Sequence, residues 1–294
     1  MRRAGSLLLG IGLVVGICAA APTAVAAAAS QVAGRHCATR IAFMVGTGGT
    51  ITTVCPNGRG RTNIGPGYDP DWSPNSLKFA FSDPVKGFDI AMMNTDGTGV
   101  VDLTADSPYR DTFPDWSPDG RLIAFYSERS GNGDVYVMNS DGSDVVDLTP
   151  HPAVETTPAW SPDGTKIAFT RVGSGGLGDI VVMNADGSGV VNLTKSRNVD
   201  DAEPAWFPDG SKIAFERTKG GNTDVWVMNA DGSHLRDLTA NDPAGDYQPT
   251  WSPDGRMVAF TSTRTGTQAI FTMTAKGGSQ LLVARNGSRP DWQP

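Results

Sequence analysis

Residues 114–125 read PDWSPDGRLIAF, and near-copies return as PAWSPDGTKIAF at 158–169, PAWFPDGSKIAF at 204–215 and PTWSPDGRMVAF at 249–260. Working outward from these copies, six tryptophans stand in one context: Trp72, Trp116, Trp160, Trp206, Trp251 and Trp292, spaced by 44, 44, 46, 45 and 41 residues. A period of about 40–45 residues holding several short apolar runs marks a β-propeller, with one four-stranded blade per repeat.

Residues 113–149 show how one unit is built. FPDWS is a short strand, and Pro118-Asp119-Gly120 turns the chain, because proline presets one backbone angle and glycine accepts the left-handed one. LIAFYS is a second strand, ERSGNG a polar loop and DVYVMN a third strand. Ser140-Asp141-Gly142-Ser143 is a second tight turn, leading into VVDLT as the fourth strand. The runs are apolar on both faces, as a sheet sandwiched between two others requires. A flat β-sandwich would need no such strict repetition. The thirty-six glycines and twenty prolines fall at regular intervals between the runs, so they are turn residues rather than marks of disorder.

The repeats begin at RIAFMV (40–45) and TITTVC (50–55), which align with second and third strands, and end on RPDWQP (289–294), a tryptophan strand with nothing after it. Joining the two makes a composite blade 1, and the units of Trp72 to Trp251 become blades 2 to 6. The expected fold is therefore all-β: a six-bladed propeller over 40–294, closed by pairing the C-terminal strand with the N-terminal blade. Closure removes exposed sheet edges, which otherwise invite aggregation.

The sequence W-S-P-D-G, I-A-F, D-x-x-V-M-N, D-G-S and L-T resembles the TolB-type propeller repeat, a relative of the WD-repeat units. It stands here at Trp160 to Gly164, Ile167 to Phe169, Asp179 to Asn184, Asp186 to Ser188 and Leu193-Thr194. Three departures occur: Asn75-Ser76 in blade 2, Phe207 in blade 5 and Gln268-Ala269 in blade 6. The resemblance implies, for true TolB proteins, a further α/β domain before the propeller and work with an outer-membrane lipoprotein. Few residues separate the expected cleavage point from the first strand here, so only the propeller is carried over, and a fold does not fix a function.

Arg2 and Arg3 precede an apolar run from Leu7 to about Ala21, and Ala24-Val25-Ala26 offers a small-x-small cleavage site. Residues 1–26 are expected to be a secretory signal peptide, with 27–39 a short lead. The run is short and broken by glycine, unlike a membrane anchor. Removing residues 1–26 takes away both arginines and moves the formal charge from −7 to −9. That charge argues against nucleic acid and against anionic membrane surfaces. The expectation is an exported monomer, periplasmic or extracellular, with no membrane insertion after cleavage. Export supplies an oxidising compartment. Aligned units place Cys37 in a first turn and Cys55 at the end of a third strand, on neighbouring strands of one rim. A Cys37–Cys55 disulfide is expected, the alternative being two free thiols.

Catalytic patterns are thin. His36, His151 and His234 fall in turns or loops of different units, and there is no G-x-S-x-G elbow, P-loop or dinucleotide fingerprint. The Asp-Gly pairs lack the twelve-residue calcium-loop pattern and read as hairpin turns. The aspartates that open third strands, Asp89, Asp134, Asp179 and Asp224, read as structural. Two functions remain. One is a non-catalytic scaffold whose protein partner docks on the loop face, where SDPVKGFD, SERSGNGD, RVGSGGLGD and ERTKGGNTD differ between units. The other is a calcium-dependent hydrolase or lactonase of the propeller type. Five residues before each tryptophan stand Gly67, Asp111, Glu155, Asp201, Asp246 and Gly287. Asp111, Glu155, Asp201 and Asp246 are expected to form an acidic arc at the channel mouth for a partner's cation. No cofactor is required, and calcium is the ion those carboxylates would take. The competing reading is that each carboxylate caps its own loop.

Overall fold

The computed structural model describes residues 37–105, 107–240 and 242–294. The expected signal peptide, most of the lead and His36 lie outside them. Six four-stranded antiparallel sheets succeed one another. In blade 3 the strands are Asp111–Trp116, Leu122–Ser127, Asp134–Asn139 and Val146–Asp147, running from the innermost outward. The fourth strand is shorter than the five residues VVDLT offered. Leu148 N instead donates to Val135 O, and Thr149 Oγ1 accepts from Val135 N. A two-residue outer strand leaves little free edge for another chain to pair with.

The ring closes as the orphan segments require. Gly287–Trp292 pairs with Ile41–Val45, matching Ile41 to Trp292 and Val45 to Gly287, and completes blade 1 with Thr50–Val54 and Thr62–Pro66. Cys37 and Cys55 are disulfide-bonded with Cα atoms 5.8 Å apart, so the thiol alternative falls away. Among the described residues, no helix is long and apolar enough to cross a membrane.

The core lies between blades rather than within them. Ile123 and Phe125 of blade 3 pack with Ala80 and Ile90 of blade 2, whereas Ala124 packs with Trp160 and Phe169 of blade 4. The I-A-F motif thus faces its large residues backward and its alanine forward, where the next blade's tryptophan needs the room. Successive strand residues point to opposite faces. The tryptophans of blades 1, 2, 3, 4 and 6 are 6–8% exposed.

The W-S-P-D-G turn satisfies itself. Ser117 Oγ donates to Asp119 Oδ1 and accepts from Leu122 N, and Arg121 N donates to Asp119 Oδ1. Gly120 takes φ 71°, the left-handed angle the turn demands. Phe207, in the serine position of blade 5, instead packs edge-on against Trp251 with ring centroids 4.9 Å apart.

Candidate functional site at the channel mouth

The four carboxylates of the expected arc are brought to equivalent places but not to a shared surface. Asp111, Glu155, Asp201 and Asp246 are fully buried, and none lines the central cavity. Each meets an arginine of its own blade: Arg129 Nη2 to Asp111 at 2.7 Å, Arg171 Nε to Glu155 at 2.6 Å, and Arg264 Nη2 to Asp246 at 2.8 Å. Asp201 takes both Nε and Nη2 of Arg217, at 2.6 and 2.8 Å. Each of these guanidinium groups lies over the phenylalanine of its own I-A-F run, V-A-F in blade 6, 5.3–5.5 Å from the centroid. In blades 1 and 2 the ring fills that space itself: a Cβ on Gly67 would stand 2.6 Å from Phe81, and one on Gly287 2.6 Å from Phe43. Burial raises the carboxyl of Asp246, and lifts that of Glu155 to about 7 against the pull of Arg171.

The residues that do converge stand three before each tryptophan: Asp69, Phe113, Thr157, Glu203, Gln248 and Arg289. They ring a cavity of about 280 Å³ on the axis. All six have positive φ, between 48° and 55°. The innermost strands lose register at this point in every blade, as between Thr112 and Asp115 or between Ala202 and Ala205. A bulge of this kind re-aims one side chain, and left-handed non-glycine residues cluster at functional sites. The proline that follows lines the same cavity in each blade. The innermost strand pairs on one side only, and proline leaves no N–H unmet on the channel side.

The ring is tied together across blades. Ser82 Oγ accepts from Phe113 N, Thr170 Oγ1 from Glu203 N, Glu216 Oε2 from Gln248 N, and Thr261 Oγ1 from Arg289 N. Arg289 reaches furthest. Its Nε lies 2.9 Å from Asp69 Oδ1 and its Nη2 2.8 Å from Glu203 Oε1, with Cζ 4.5 Å from the Phe113 centroid. Burial would lower its pKa, but the charges of Glu203 and Asp69 outweigh that and hold it above its ordinary value. Burial beside Glu203 lifts the Glu216 carboxyl to about 8.

A second tier stands one residue before each tryptophan, with Asp291, Asp71 and Asp115 from blades 1, 2 and 3 facing Ala159, Ala205 and Thr250. Each aspartate accepts the N–H of the next blade's tryptophan: Trp72 on Asp291, Trp116 on Asp71 and Trp160 on Asp115. Their only exposure is to the narrow channel, so partly accessible atoms still behave as desolvated ones. Burial raises Asp71 well above the usual carboxylate range, Asp115 to about 8 and Asp291 to about 7. Desolvation thus favours the protonated form of all three.

His151 and His234 are exposed and do not line the cavity, and His151 Nδ1 stands 3.6 Å from Glu155 Oε1. Asp179 accepts from Ser196 N at the third-strand entrance, the structural role expected of it. No three His, Cys, Asp or Glu side chains are grouped as metal ligands among the described residues. Sequence reading looked two residues too early for the channel ring. One sign was available: copies that agree at proline and tryptophan carry six different residues at this position.

No curated protein matches the chain. Among solved structures, TolB from Acinetobacter baumannii superposes with a TM-score of 0.74 at 23% identity, covering 86% of this chain and 66% of that one. A protein assigned as TolB from Agrobacterium tumefaciens gives 0.68 at 22% identity, covering 83% and 88%. Oligogalacturonate lyase from Vibrio parahaemolyticus gives 0.57 at 12% identity, covering 80% and 71%. At these identities the likeness is one of fold. The chain spans just under two thirds of the first of these relatives. The TolB beta propeller domain matches residues 62–203 and 198–294, and with the composite blade and the repeated W-S-P-D-G turns in place, the chain belongs to that family.

Proposed function

We propose that this chain is an exported, non-catalytic binding scaffold that receives a protein partner on its loop face and channel mouth. One observation carries the reading: six side chains of different chemistry occupy the one strained, channel-facing position of otherwise near-identical repeats. A ring that served packing alone would repeat like the proline beside it. The variable loops between second and third strands add a second variable surface, on the rim opposite the W-S-P-D-G turns whose Pro162 and Pro208 line the cavity. Ser127 pairs with both Asp111 and Asp134, so the loop between the second and third strands stands on the rim where the innermost strand enters. The Cys37–Cys55 bond and the N-terminal sequence support export.

The test is affinity capture from the native envelope fraction. Ala159→Trp and Ala205→Trp each fill the cavity from one wall while Arg289 and its carboxylates are left unsubstituted. The parent is expected to retain one specific protein that both variants lose while keeping the parent's circular dichroism. Undiminished capture by the filled variants would overturn the reading. Calcium titration with a lactone and ester panel completes the test, and turnover abolished by chelation would replace the scaffold with the hydrolase.

A further inference from the structure

We propose that the channel mouth is a recognition site for an arginine side chain, filled in the free protein by Arg289 and taken in the complex by an arginine of the docking partner. The proposal rests on the scaffold reading and names the chemistry of its site.

The geometry is that of a guanidinium receptor. Asp69 of blade 2 and Glu203 of blade 5 grip the fork from two sides, Glu203 through both oxygens at 2.8 and 3.2 Å. Phe113 of blade 3 offers its ring face 4.5 Å from Cζ. Ser82 Oγ donates to Asp69 Oδ2 at 2.9 Å and fixes that carboxylate. Planar bidentate pairing combined with aromatic stacking selects guanidinium over ammonium. Every one of these groups comes from a blade other than Arg289's own, so the receptor is built without the residue that fills it.

Charge argues for the same occupant. Burial favours the protonated form of Asp71, Asp115 and Asp291, and the remaining lining carboxylates, Asp69 and Glu203, still outnumber the single lining cation, Arg289. An incoming acidic group would meet this excess and be repelled, whereas an arginine can exchange with Arg289 at constant charge. The cis side chain lowers apparent affinity by the fraction of time it holds the site. The free protein is then selective, because only a partner with further contacts around the cavity displaces it.

The probe is N-acetylarginine amide, with N-acetylcitrulline amide as its uncharged isostere. Arg289→Ala is expected to bind the arginine probe saturably, at least tenfold more tightly than the wild type, and to ignore citrulline. Adding Asp69→Asn or Glu203→Gln to that variant should abolish binding. Should Arg289→Ala unfold on its own, the arginine probe is expected to restore its near-ultraviolet circular dichroism and citrulline not. A folded Arg289→Ala that binds neither probe, binding that survives loss of both carboxylates, or an unfolded variant restored by neither probe overturns the proposal. Partner capture that depends on Ala159 and Ala205 would then still stand, which separates this failure from failure of the scaffold reading.

Discussion

At Asp115 a single carboxyl does two things that pull against each other. It accepts Trp160 N–H at 2.6 Å, stitching blade 3 to blade 4, yet it sits where burial lifts its pKa from 3.8 to about 8. In the unfolded chain it ionises near its ordinary value, so the folded state binds the proton more tightly across the interval between. Its contribution to stability is therefore complete below about pH 4 and lost as the pH rises through about 8. Asparagine keeps an acceptor for Trp160 and carries no charge. Asp115→Asn is expected to be more stable than the parent by at least about 1 kcal/mol at pH 8, with the difference vanishing towards pH 4. Urea unfolding of both proteins at several pH values measures it, and a pH-independent difference would refute it. The tier also explains why three blades afford an aspartate here and three do not: Ala159, Ala205 and Thr250 leave open the side that the carboxyls face.

Within a blade, the buried acid–arginine pair is the element that sequence reading half saw. The acids were legible as a repeated position. Two partners were legible by applying strand pairing to charge, because Arg171 and Arg217 stand directly opposite Glu155 and Asp201, whereas Arg129 and Arg264 lie two residues past Ser127 and Ser262, which pair with Asp111 and Asp246. The I-A-F runs, the turns and the composite blade could be read directly, because periodicity and turn chemistry are local. The direction of the channel-ring side chains could not, because a bulge breaks the alternation on which such a reading depends. Removing one partner of a fully buried pair leaves an uncompensated charge. Asp201→Ala is expected to cost about 3–5 kcal/mol in chemical denaturation. The double variant Asp201→Gly/Arg217→Val copies blade 1, where Gly287 stands opposite Val45, and is expected to cost less than Asp201→Ala alone. A double variant that is worse by the sum of both single changes would show that the pair is not the unit.

On the scale of the whole ring, closure rests on blade 1, the one blade whose innermost strand arrives from the far end of the chain. The Cys37–Cys55 bond ties its N-terminal strands together, and replacing both cysteines by serine is expected to cost about 2–4 kcal/mol. Mass spectrometry of the unreduced parent should then find neither thiol open to alkylation. The C-terminal strand contributes more. Within residues 289–294 lie Arg289, which spans the channel to blades 2, 3 and 5, Asp291, which holds Trp72 N–H, and Trp292, which packs with Phe43 and Ala259 in the core between blades 6 and 1. Deleting these six residues opens the ring, exposes one edge of Ile41–Val45 and unpairs a cavity built for a guanidinium. Several kcal/mol of lost stability corresponds to a fall in Tm on the order of 10 °C for a domain of this size. The freed edge should also recruit other chains, so light scattering should rise with concentration for the truncated protein while the parent stays a monomer. Arg289→Ala in the full chain separates the two effects, since it removes the spoke and keeps the strand. It is expected to lower Tm without inducing scattering. A truncated protein that melts with the parent and stays monomeric would mean that the ring is held by its interblade cores alone, and that pairing of the first and last strands is incidental to stability.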